Sequence, residues 1–118
     1  MRHKKSTKKF KRTTEERRRL LLDLCNALVE HGQITTYTTR GKWFRSQFER
    51  LVTYCKRAGD NEVLALRNLR PYLTEANAKK MYREIAPKMA GRDGGYTRMF
   101  ALHQEFSTHD KSVIMITE

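Results

Sequence analysis

The chain has 118 residues, 25 of them lysine or arginine against 13 acids, giving a formal net charge of +12 and a pI of about 10.1. That length bounds it to one domain, and a hydrophobic share of 38% supports one core but not a second large apolar face. No run approaches the roughly 18 apolar residues of a membrane span, and so large a cationic surplus is drawn to nucleic acid or an anionic membrane surface.

Residues 1–12 come first. Arg2, Lys4, Lys5, Lys8, Lys9, Lys11 and Arg12 stand there with His3 and without a carboxylate. Self-repulsion and low apolar content predict an extended arm, and a phosphate backbone is the partner that neutralises it. Thr13, Thr14, Glu15 and Glu16 follow instead of an apolar h-region, so no signal peptide is expected. Thr13 and Glu16 have the spacing of a capping box. Leu21, Leu24, Cys25, Leu28 and Val29 then recur at helical steps, which predicts helix one over 14–30, with Gly32 at its left-handed end. Arg17, Arg18 and Arg19 extend the arm's charge along the outward side of this helix.

Ile34, Thr35 and Thr36 predict a short strand over 33–37. Thr38 or Thr39 is expected to cap helix two, 39–57, with Phe44, Phe48, Leu51, Val52 and Cys55 inward and Gly59 closing it. Arg45 and Glu49 are one turn apart and spaced to pair, worth only a few tenths of a kcal/mol. Asp60 or Asn61 caps a third helix that Pro71 stops. Thr74 caps a fourth, with Ala78, Met81, Tyr82, Ile85 and Ala86 inward and Pro87 as its end. Gly91–Gly95 is a turn-rich loop. A strand over 96–106, a turn over 108–111 and a closing strand over 112–117 complete the chain. The expected fold is α+β, in the order α-β-α-α-α-β-β. A small mixed three-stranded sheet carries about four helices on one face, residues 13–118 form the domain, and the basic arm precedes it.

Catalytic chemistry finds no support. There is no GxSxG and no Cys–His signature, and the acids are scattered instead of paired for metals. Cys25 and Cys55 lack a CxxC partner and read as small core filler. His3, His31, His103 and His109 have no zinc-ligand spacing. No cofactor and no small-molecule substrate is expected.

Three basic places remain as candidate contacts. The arm is the first. The start of helix two is the second: Arg40, Lys42 and Arg45 lie beside the positive end of the helix dipole, and Gly41 leaves room for close approach. Trp43, beside them, reads as a core anchor more than as a stacking surface. The third is the loop. Gly94 and Gly95 let backbone amides approach a phosphate, Arg92 and Arg98 flank them, and Tyr96 offers a flat ring for a base or ribose. An ordinary hairpin entrance with solvated arginines has the same composition.

Several blocks occur together in a recognisable order: Met1-Arg2-His3-Lys4-Lys5-Ser6, His31-Gly32-Gln33-Ile34, Leu51-Val52-Thr53, Ile85-Ala86-Pro87, and Arg92-Asp93-Gly94-Gly95-Tyr96-Thr97-Arg98. With the closing Ile114-Met115-Ile116-Thr117-Glu118, they run nearly end to end. The chain resembles the bacterial-type large-subunit ribosomal protein numbered seventeen. The resemblance implies a structural protein of the large subunit that binds large-subunit ribosomal RNA and touches neighbouring ribosomal proteins near the polypeptide exit side. It implies RNA contacts at Arg2, His3, Lys4, Lys5, Lys42, Arg45, Arg92, Tyr96, Thr97 and Arg98. Gly41-Lys42-Trp43-Phe44 departs from the Ala-Lys pair with following Glu and Leu that is usual there, and the C-terminal tail of some members is not seen.

A DNA-binding nucleoid or regulatory protein would explain the charge equally well, but no helix reads as a major-groove recognition helix. A cationic membrane-surface protein would use the leucines of helix one, which a domain this small needs for its core; no membrane partner is expected. The lack of a transit segment makes a ribosome-bound protein of the bacterial cytoplasm the expectation ahead of an organelle.

Overall fold

The computed structural model describes residues 10–102 and 110–117. Residues 1–9, 103–109 and 118 lie outside the described residues, and with them most of the expected basic arm, the far end of the expected strand 96–106 and part of the expected turn 108–111.

Helix α1 spans Thr14–His31. Thr13 Oγ1 accepts the Glu16 N–H at 3.2 Å, forming the threonine half of the capping box. Gly32, at φ +79°, donates its N–H to the Leu28 carbonyl and ends the helix. The foot of the expected arm is a turn and not extended chain. Phe10 and Lys11 both have φ of +54°, and Arg17 Nη1 donates to the Arg12 carbonyl at 2.6 Å. Left-handed backbone at such residues costs about 1–2 kcal/mol each. The Phe10 ring meets Trp43 edge-on at 5.3 Å, which offsets part of that cost.

Strand β1, Gln33–Tyr37, runs straight into helix α2, Thr38–Ala58, with no loop between them. Neither threonine caps α2, contrary to expectation. Tyr37 is the N-cap, while the Thr38 hydroxyl is taken by Ser112 Oγ at 2.8 Å and its N–H by the Asp110 carbonyl at 2.9 Å. Helix α3 spans Glu62–Leu69, with Asn61 Oδ1 accepting from Leu64 N–H. Helix α4, Glu75–Lys80, is capped by Thr74. It continues through a π-helical turn, Met81–Ile85, into a last turn α5, Ala86–Lys88. Pro87 therefore lies within the final turn and does not end the helix before it. In an α-helix its ring would strike the Arg83 carbonyl. The wider turn, in which the Ala86 N–H bonds to the Met81 carbonyl, absorbs that conflict.

Strands β2, Thr97–Leu102, and β3, Lys111–Ile116, complete a sheet of order β1-β3-β2. The sheet is wholly antiparallel, not mixed. β3 lies between the other two and runs against both, so β1 and β2 point the same way but never pair. Opposite Ile114 stand Ile34 on one side and Met99 on the other. Period-two alternation turns Thr36, Ser112 and Ile114 inward, where all are buried, and leaves Tyr37, Phe100 and Leu102 outward and exposed.

The helices cover the inner face. Phe44, Phe48, Leu51, Val52 and Cys55 of α2 pack with Leu21, Cys25, Leu28 and Val29 of α1 and with Met81, Ile85 and Met89. A polar clasp fixes α4 against α1. Asn26 Oδ1 accepts from the Thr74 N–H at 3.0 Å and from Asn77 Nδ2 at 2.7 Å, and Asn77 Nδ2 also reaches Glu30 Oε1 at 3.0 Å. Asn77 is 6% exposed, so its amide has to be satisfied this way.

Candidate nucleic-acid interface

Helix α2 organises the basic surface through contacts spread along its length. Near its start, Gly41 is buried against the sheet. A Cβ there would lie 3.0 Å from Ile114 Cδ1 and 3.1 Å from Met99 Cε. The close approach that this glycine permits is therefore helix to sheet, and not backbone to phosphate.

One turn on, the expected Arg45–Glu49 pair is replaced by a shared partner. Arg45 Nε donates to Thr97 Oγ1 at 3.0 Å, and Arg45 Nη2 donates to the Thr97 carbonyl at 3.0 Å. Glu49 Oε1 accepts the Thr97 N–H and its hydroxyl, each at 3.2 Å. Thr97 is 3% exposed. Every polar group of this residue is thus held by α2, and the first residue of β2 is fixed in place. Charge-assisted bonds of this kind are the stronger sort.

Further along, Lys56 reaches out from α2 to the glycine loop. Its ammonium donates to the Arg92 carbonyl and, at 3.0 Å, to the Tyr96 hydroxyl. Tyr96 is 4% exposed. Its ring is a buried brace for the loop, not the stacking surface expected of it. Gly95 has φ of +64°, a conformation that favours glycine, and its carbonyl accepts Thr117 Oγ1 at 3.2 Å. Gly94 is exposed, and a Cβ on it would meet open space.

The sequence-predicted residues therefore divide. Lys42 and Arg98 are exposed, and Arg40 and Arg92 are half-buried at the surface. Arg45, Tyr96 and Thr97 are structural supports of that surface. Lys11 and Arg12 sit at the turn beside Trp43, which is half-buried against the core. Arg2, His3, Lys4, Lys5, Lys8 and Lys9 lie outside the described residues. Sequence reasoning missed Lys56 as the brace of the glycine loop. It also missed an open cleft of about 780 Å³ between the end of α1, the sheet and α5, lined among others by His31, Lys80, Lys88 and Arg98. Its cations come from three separate elements, so no local run signals it.

Burial pushes the Cys25 thiol up from 9.0 to about 12, and the Cys55 thiol likewise from 9.0 to about 12. Thiols held protonated to that degree are poor nucleophiles at neutral pH. Among the described residues no three His, Cys, Asp or Glu side chains are gathered as metal ligands, and no helix is long and apolar enough to cross a membrane.

Residues 20–118 match the family described as Ribosomal protein L17. The chain is 38% identical over 119 residues to the large ribosomal subunit protein bL17 of Persephonella marina, covering 98% of this chain and 93% of that protein. It is 38% identical over 103 residues to the same-named protein of a Sulfurihydrogenibium species (86% and 83% covered). Against that of Clostridium acetobutylicum it is 38% identical over 96 residues (80% and 82% covered). Because the match begins within α1 and takes in every later helix and strand, the chain belongs to the ribosomal protein L17 family.

Proposed function

We propose that this protein is a structural constituent of the large ribosomal subunit that binds large-subunit ribosomal RNA. The observation that carries this reading is the end-to-end likeness to proteins named for that subunit. The geometry supports it. A phosphate-binding surface needs cations held in position without neutralising acids. Exposed Arg98 directly follows Thr97, whose backbone and hydroxyl are clamped by Arg45 and Glu49. Arg92 lies in the loop that Lys56 braces. Lys42 and Arg40 stand on the first two turns of α2, beside the end to which the arm's foot is anchored through Phe10 and Trp43. In this reading Arg2, His3, Lys4, Lys5, Lys8, Lys9, Lys11 and Arg12 reach phosphates beyond the domain. Gly94 and Gly95 keep the loop open to RNA, and Arg45, Tyr96 and Thr97 act by positioning. Neighbouring large-subunit proteins are the further partners, in the bacterial cytoplasm.

The test is twofold. The protein is expected to co-sediment with native large subunits from its source cell and to bind large-subunit ribosomal RNA with a steep salt dependence. Replacing Lys42 or Arg98 by alanine is expected to shallow the log–log salt slope by about one unit each. Complete large subunits that lack the protein, or RNA binding indifferent to salt, overturn the proposal. A sequence-selective footprint on duplex DNA would move the assignment to a DNA-binding protein.

A further inference from the structure

Among the described residues no helix covers the outer face of the sheet, and its chemistry is distinctive. Outward residues of the three strands include Tyr37, Phe100 and Leu102, exposed by 43%, 49% and 39%. They also include Arg98 and Lys111, and no carboxylate. Two cations crowd one ring. The Arg40 guanidinium lies 5.4 Å from the Tyr37 centroid, and the Lys111 ammonium 5.7 Å from the same centroid. The Arg40 Nε is shielded from solvent and has no hydrogen-bond partner among the described residues. Among the described residues, Glu30 and Asp110 are the acids nearest to the strands in sequence; both precede them, and Glu30 Oε1 is occupied by Asn77.

We infer that this face is a platform for an unpaired segment of RNA, with one base stacked on Tyr37, another on Phe100, and phosphates on Arg40 and Lys111 beside the first base and on Arg98 beyond the second. The inference rests on the proposed RNA-binding function and specifies which form of RNA this face takes. Two like charges beside one ring repel each other, and an arriving phosphate relieves that repulsion. Tyr37 and Phe100 are two strands and two residues apart in register, or about 12 Å from ordinary strand spacings. Two separate bases are therefore needed, splayed out of a helix. Paired RNA keeps its base faces stacked inside, so aromatic sheet faces read single strands. An apolar protein partner would use the rings but would leave three cations uncompensated. Arg98 and Phe100 also line the cleft that holds Lys80 and Lys88, which gives the strand a continuous cationic exit.

The experiment compares two probes by fluorescence anisotropy with the full chain: labelled decauridylate, and a fully paired RNA hairpin of similar phosphate count. Tyr37→Ala and Phe100→Ala are each expected to weaken decauridylate binding about tenfold and hairpin binding less than about twofold. Tyr37→Phe and Phe100→Tyr keep a ring and are expected to retain affinity, with unchanged melting curves showing that each variant folds. Unchanged decauridylate affinity in both alanine variants overturns the proposal and leaves the face to a protein neighbour. Equal losses on both probes overturn it too, as does a wild-type protein that binds only the hairpin; in each case RNA binding itself still stands. A wild-type protein that binds neither probe nor large-subunit RNA removes the underlying reading as well.

Discussion

Thr97→Val isolates the clamp between α2 and β2. Valine matches threonine in shape, fills the same buried site and preserves the strand, so only the hydroxyl is lost. That hydroxyl accepts from Arg45 Nε at 3.0 Å and donates to Glu49 Oε1 at 3.2 Å. Hydrogen bonds to charged groups contribute about 1.5–3 kcal/mol each. Here the loss is smaller than the sum. Arg45 keeps the Thr97 carbonyl, Glu49 keeps the Thr97 N–H, and both side chains are partly open to water. A net loss of about 2 kcal/mol is expected. Unfolding entropies near 2.1 cal/mol/K per residue convert that to a fall of roughly 8 °C in Tm for a chain of this length. The assay is thermal unfolding followed by circular dichroism, with Thr97→Ser as the control that restores the hydroxyl. A Tm for Thr97→Val within about 2 °C of wild type, where roughly 8 °C is expected, would show that the two bonds of the Thr97 hydroxyl contribute nothing to the clamp.

Three further outcomes follow from the same geometry. Gly95→Ala forces a left-handed residue and is expected to cost about 1–2 kcal/mol in denaturant unfolding, while Gly94→Ala, with open space around it, stays within about 0.5 kcal/mol of wild type; equal effects would contradict the backbone assignment. Gly41→Ala gains up to about 1 kcal/mol of helix propensity but crowds the fully buried Ile114 tip, an overpacking of about 1–3 kcal/mol. A net loss near 1 kcal/mol is expected, and a stabilised variant would show that the helix can lift from the sheet. The raised thiol values of Cys25 and Cys55 predict no reaction with a thiol reagent in the folded protein at neutral pH and reaction of both in guanidinium. Their sign is that of an acid held protonated by folding. Stability is unaffected below the unfolded value of 9.0 and falls as pH rises from there toward about 12. Prompt labelling of the native protein would refute their burial.

The helices were legible because their signals are local. The stripe from Leu21 to Val29 and the caps Thr13, Asn61 and Thr74 each depend on residues within a turn or two. What escaped depends on pairs far apart in the chain. Thr38 looked like a cap because its partner Ser112 lies 74 residues away. Tyr96 looked like a stacking ring because nothing near it announces Lys56, which lies 40 residues back. Gly41 suggested room for a phosphate, since a glycine records that something comes close and not what it is. Strand direction was misjudged for the same reason: no local feature places β3 between its two neighbours.

The central position of β3 has a consequence for how the protein is made. Synthesis delivers residues 33–37 long before 111–116 and residues 97–102 shortly before them, yet neither earlier strand has a partner until the last one arrives. A ribosome paused in the hairpin would hold a chain whose helices can already collapse while two strand edges wait unpaired. Such edges invite association between nascent chains. Binding of the basic segments to RNA at that stage would keep neighbouring copies apart until the last strand closes the gap.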